Sequence, residues 1–130
     1  MDETNSLIEQ RKAKLAALVA RGVNPFTGRF TPSQSCAAAR ANYVEGVEVA
    51  LAGRITAYRD MGKSIFFDIK DQSGRMQVYA QRQVVGEEAW EVIKLLDLGD
   101  FVGVNGTLFV TRTSEISVKL ANLTVLSKAL

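Results

Sequence analysis

A chain of 130 residues, 47% hydrophobic and 23% charged, has the material for one folded domain with an appendage and does not have the composition of a disordered segment. Sixteen basic against fourteen acidic residues leave a net charge of +2, so no overall field announces a nucleic-acid partner and such a case has to be made locally. The absence of histidine excludes Ser/His and Cys/His nucleophilic sets and removes the commonest metal ligand, so neither a catalytic nor a metal site is predicted.

The chain opens on Asp2 and Glu3 rather than on a signal-like apolar run, and nowhere does it hold about 18 consecutive apolar residues. A cytoplasmic location with no membrane partner is expected. Residues 4–21 are predicted to form a helix: Ser6 and Glu9 stand at capping-box spacing, Ile8, Leu15, Leu18 and Val19 recur at helical spacing, and Gly22 supplies the stop. Its other face carries Arg11, Lys12, Lys14 and Arg21, a pattern also shown by any solvated helix face. From 24 to 42 the sequence holds no sustained period and is stiffened by Pro25 and Pro32; it reads as a connector, with the lone Cys36 a bystander in it. The boundaries expected are therefore 1–46 for helix and connector and 47–130 for the main domain.

Period-two alternation then begins. Val47, Val49, Leu51, Gly53, Ile55 and Ala57 are predicted on one side of a long strand, with Glu48, Arg54, Thr56 and Tyr58 on the other. After the turn "DMG", Ile65, Phe67 and Ile69 point inward and Ser64, Phe66, Asp68 and Lys70 outward. Beyond "DQSG", Met76 and Val78 continue the inward set while Arg75, Gln77 and Tyr79 share the side of Phe66. A single helix is expected over "GEEAWEVIKLLDLG", from Ala89, Ile93 and Leu96. Alternation resumes with Val102, Val104, Gly106, Leu108 and Val110, turns at "TRTSE", and finishes with Ile116, Val118 and Leu120.

Three strands, a helix and two strands is the order of the OB-fold, so the predicted class is all-β with flanking helices: a five-stranded OB-fold barrel preceded by an N-terminal helix. Gly53 and Gly106, at inward positions of long strands, suit the coiling of such a barrel. On its outer face Phe66 offers a stacking surface to an unpaired base, and Gln77 carries an amide that both donates to and accepts from a base edge. Arg59 and Lys63 near the first turn, with Arg54 and Arg75 on outward positions, are candidates to hold phosphate, and Glu115 can accept from a base N–H or else pair with Arg112 or Lys119. Barrels of this kind also bind sugars and proteins, so a general single-strand or oligosaccharide binder and a protein-interaction or dimerisation module stand as alternatives.

The stretches "RKAKLAALVARGVNPF", "AGRITAYRDMGKSIFFDIKDQSGRMQVY", "LDLGDFVGVNGTLFVTRTSEISV" and "LSKAL", spread over nearly the whole chain, resemble the N-terminal anticodon-binding region of class II lysyl-tRNA synthetases. The resemblance implies that Phe66 stacks on the central uridine of a uridine-rich anticodon, that Gln77 reads its edge with help from Arg59, and that Glu115 reads a neighbouring base. It also brings Arg11, Lys12 and Lys14 towards phosphate and makes lysine tRNA the partner, with a homodimer as a second association. That family continues past the position of Leu130 into a catalytic domain that uses ATP and magnesium; no cofactor is expected within these residues, nor aminoacylation by them alone. Three departures stand out: Ser114 where the family commonly has glycine, Tyr58 where a basic residue is frequent, and a bulkier Phe67.

Overall fold

The computed structural model describes residues 30–129, so the predicted helix over 4–21, with Arg11, Lys12 and Lys14, lies outside the described residues. Five strands close into a barrel in the order β1-β2-β3-β5-β4: β1 Glu48–Asp60, β2 Ser64–Lys70, β3 Arg75–Gln81, β4 Phe101–Val110 and β5 Ile116–Ser127. All neighbours are antiparallel except β3 and β5, which run parallel over a short stretch, Gln77 opposite Ser117 to Tyr79 opposite Lys119. The five-stranded OB-fold barrel read from the alternation is thus present.

Its interior is filled by the inward residues of each strand, among them Leu51 and Ile55, Ile65, Phe67 and Ile69, Met76 and Val78, Val102 and Val104, and Val118 and Leu120, all buried. Two glycines let strands approach more closely than a side chain allows. A Cβ on Gly53 would lie 2.8 Å from the Lys70 carbonyl oxygen, and one on Gly106 would lie 2.0 Å from that of Lys119.

The alternation is broken once in β1. The register passes from Ile55 opposite Ile69 directly to Ala57 opposite Asp68, which leaves Thr56 as an extra residue, a β-bulge. Every later side chain in β1 is turned over. Ala57, expected inward, is exposed, and Tyr58, expected outward, is half-buried and donates its hydroxyl to the carbonyl of Ile93 at 2.9 Å. Burial, with Asp60 and Asp97 nearby, pushes the Tyr58 phenol up to about 12. A register shift between Asn105 and Gly106 does the same to β5, passing over Ala121, so that inward positions continue as Leu123 and Val125. Val47 and Val110, also read as inward, are 42% and 43% exposed, because Val47 precedes β1 and Val110 ends β4.

Two helical expectations are revised. The connector contains α1, Cys36–Ala41, whose run of alanines has helix propensity but is too short to show a period. Ser35 caps it, its Oγ accepting the Ala38 N–H at 3.1 Å. Its first N–H groups are met from the β2–β3 turn, Cys36 N–H by Asp71 at 2.9 Å and Ala37 N–H by Ser73 Oγ at 3.0 Å. Cys36 thus lies in a helix rather than a loop: it is fully buried, and burial, followed by the Asp71 charge, pushes its thiol up to about 12, which leaves it unactivated as expected. The expected single helix between β3 and β4 is two, α2 Arg82–Val85 and α3 Glu87–Lys94, divided at Gly86 with φ 89°. Trp90, Val92 and Ile93 of α3 are buried against the barrel.

Candidate nucleic-acid interface

Of the two adjacent phenylalanines, Phe67 is 1% exposed in the barrel core and Phe66 stands half-buried on the outside. Cross-strand register decides what surrounds Phe66. Arg59 of β1 lies directly opposite on one side and Tyr79 of β3 on the other. The Arg59 guanidinium carbon is 5.5 Å from the Phe66 ring centroid, while the Tyr79 ring stacks on it at 4.7 Å with 29° between planes. Phe109 of β4 extends the row, 5.8 Å from Tyr79 and tilted by 45°. Arg59 reaches this face only because of the Thr56 bulge; unbroken alternation would have sent it inward.

Gln77 faces Asp68 across β2 and β3, which makes it the diagonal neighbour of Phe66, about 7–8 Å away by ordinary sheet geometry. Phe66, Gln77 and Arg59 line one recess of about 290 Å³ with Asp68, Arg75 and Ala57. An aromatic ring, a primary amide and a cationic guanidinium thus line one open recess, large enough to admit a nucleobase. That combination stacks, donates and accepts.

Glu115 lies outside this recess and is tied to it through Arg75. The Arg75 guanidinium donates to Glu115 at 2.7 Å and to Asp68 at 3.2 Å, and Arg40 of α1 reaches the same Glu115 oxygen at 3.4 Å. Glu115 pairs with these two arginines rather than with Arg112 or Lys119. The hydrogen bond to Glu115 leads the causes that hold the Arg75 guanidinium above its ordinary range, with burial opposing and Asp68 assisting. The turn before Glu115 closes with Ser114 N–H on the Thr111 carbonyl at 2.9 Å and Thr111 N–H on the Glu115 carbonyl at 3.0 Å. Ser114 takes φ 67°, the left-handed conformation that glycine would adopt without steric cost.

The remaining sequence candidates separate. Arg54 is not with Phe66: it donates to the Gly99 carbonyl at 3.0 Å, lies 5.5 Å from the Phe101 ring, and lines a different open recess with Pro32, Lys70 and Phe101. Lys63 is exposed in the β1–β2 turn. Sequence reasoning missed Arg40, whose connector showed no period, and gave Tyr79 a side of the sheet without a role; its opposition to Phe66 follows from the register that the "DQSG" turn sets. Among the described residues no group of three or more His, Cys, Asp or Glu side chains could hold a metal ion, and no helix is long and apolar enough to cross a membrane.

Comparison with known proteins bears on the fold and the family. Residues 49–126 match the OB-fold nucleic acid binding domain family. Among curated relatives, the lysine–tRNA ligase of Moorella thermoacetica is 42% identical over 132 residues, covering 100% of this chain and 27% of the relative. Those of Cupriavidus necator and Dehalococcoides mccartyi are 42% and 43% identical, covering 98% and 93% of this chain and 26% of each relative. The chain thus spans about a quarter of the length of the relatives it matches.

Proposed function

This chain belongs to the OB-fold nucleic acid binding domain family, and from that premise we propose that it binds the uridine-rich anticodon loop of lysine tRNA by base stacking and edge hydrogen bonds. One observation carries the reading: the Phe66 ring stands outside the barrel with Arg59 and Gln77 lining the same recess. Phe66 supplies the platform for the central uridine and Gln77 the hydrogen bonds that read its edge. Arg59, a guanidinium beside the ring, adds a stacking or hydrogen-bonding partner. Glu115, held by Arg75 and Arg40, is the acceptor for a neighbouring base, and Lys63, Arg11, Lys12 and Lys14 are phosphate contacts. Work in the cytoplasm follows from such a partner, and a homodimer is compatible with it.

The test is titration of the chain with an RNA hairpin presenting UUU in its loop, against one presenting UCU. Phe66→Ala is expected to weaken the UUU complex at least tenfold, equivalent to about 1.4 kcal/mol and within the range for loss of one base–aromatic stack, while leaving the fold intact. Gln77→Ala is expected instead to bring the two hairpins closer in affinity. Equal affinity of the Phe66 variant removes Phe66 from the site, and an unchanged UUU/UCU ratio removes Gln77 as reader. Oligo-dT or an oligosaccharide competing as well as the UUU hairpin would favour a general binder. Self-association in sedimentation without any hairpin complex would favour a protein-interaction module.

A further inference from the structure

The two faces of the Phe66 ring are not equivalent. Tyr79 lies opposite it in the β2–β3 register, with ring centroids 4.7 Å apart and 29° between planes. A base inserted between two rings needs about 7 Å, twice a stacking contact. Tyr79 is prevented from leaning away by Phe109, 5.8 Å beyond it. On the other face stands the Arg59 side chain, which is exposed and, among the described residues, makes no side-chain hydrogen bond or ion pair that would hold it in place. The recess opens on this side, lined by Ala57, Tyr58 and Arg59 of β1 but not by Tyr79.

We infer that Tyr79 is a positioning residue that occupies the β3-side face of Phe66 and holds the ring upright, so that an unpaired base stacks on the β1-side face alone, between Phe66 and the Arg59 guanidinium. This rests on the reading of Phe66 as the stacking ring. A guanidinium is planar and stacks on aromatic faces, so Arg59 completes a sandwich once it moves outward by the thickness of the base. The Phe66 ring is thereby fixed before the RNA arrives, which lowers the ordering cost of binding.

A double-mutant cycle tests this on the full chain with the UUU hairpin. Tyr79→Ala is expected to weaken binding about fivefold, the scale of one lost aromatic pair, and Tyr79→Phe, which keeps the ring, by less than about twofold. In the Phe66→Ala background, Tyr79→Ala is expected to add less than about twofold, because a residue that acts through Phe66 has nothing left to position. Tyr79→Leu, which keeps most of the bulk but no ring plane, guards against loss of fold and is expected to behave as Tyr79→Ala. If Tyr79→Ala costs the same factor with and without Phe66, Tyr79 contacts a base of its own and the inference falls. It falls equally if folded Tyr79→Leu binds as tightly as the unaltered chain. If Phe66→Ala alone leaves affinity unchanged, the anticodon reading itself has failed, and that single variant shows it before Tyr79 is touched.

Discussion

Asp71 does at the scale of one residue what several bonds do elsewhere. Its carboxylate accepts from the Cys36 N–H at 2.9 Å, the Ser73 N–H at 2.8 Å and the Gly74 N–H at 3.1 Å, and from the Ser73 hydroxyl, so it shapes the β2–β3 turn and anchors α1 to it. Burial acts to raise its pKa, but the hydrogen bonds from Ser73, Cys36 and Gly74 outweigh that and bring it from 3.8 to about 2. Because the folded value lies below the unfolded one, the stabilisation is fully present above about pH 4 and is lost as pH falls towards 2. Asp71→Ala is expected to lower stability at neutral pH by about 1–2 kcal/mol, since it leaves the Cys36 N–H of α1 and the Ser73 and Gly74 N–H groups of the turn without their acceptor. It is also expected to flatten the fall in stability between pH 4 and pH 2; urea midpoints measured at pH 7 and across that range check both effects, and an unchanged slope would assign the acid sensitivity to another carboxylate.

At the scale of elements, period-two alternation was enough to find all five strands and their inward residues up to each bulge, because a side chain on a half-buried strand has only two places to go. The bulges themselves are silent. Nothing in "RITAYRD" marks Thr56 as the extra residue, yet it decides that Tyr58 turns inward to Ile93 and Arg59 outward to Phe66. Alternation alone would have buried Arg59; its place beside the first turn made it a phosphate candidate, and the resemblance to known anticodon-binding barrels added the role of helping Gln77. Gly106, at the corresponding break between β4 and β5, was legible as a glycine in an inward position, and the reason is a contact that no local pattern contains: a Cβ there would stand 2.0 Å from the Lys119 carbonyl oxygen and 2.8 Å from Val118. Relief requires the two backbones to part in the barrel wall. Gly106→Ala is therefore expected to cost about 3 kcal/mol, the upper part of the range for overpacking, seen as a lower thermal midpoint; a loss under about 1 kcal/mol would mean that the β4–β5 pair separates freely at this point.

For the molecule as a whole, two groups of charges among the described residues have different consequences. Those beside the Phe66 recess are partly solvated: the side chains of Arg75 and Glu115 are 45% and 23% exposed, so their pairing contributes at most about 1 kcal/mol to the fold. Lys128, in the "LSKAL" stretch beyond β5, is of the other kind. Its side chain and that of Asp100 are both 0% exposed; its ammonium donates to Asp100 and to the Leu95 carbonyl at 3.3 Å, and lies 3.5 Å from Asp97. Asp100 in turn accepts the Asp97 and Ala129 N–H groups, each at 2.8 Å. This knot fastens the end of β5 to the segment joining α3 to β4, and it cannot be half dismantled: removing the lysine leaves a buried carboxylate without its counter-ion. Lys128→Met, which keeps the apolar stem, is expected to lose about 3–5 kcal/mol of stability by urea denaturation. Because the knot shares no residue with the Phe66 recess, hairpin affinity at a temperature where the variant remains folded is expected to stay within about twofold of the unaltered chain, on the additivity of distant sites. A variant that melted normally but bound the hairpin poorly would reverse this division and place Lys128 in recognition rather than in the fold.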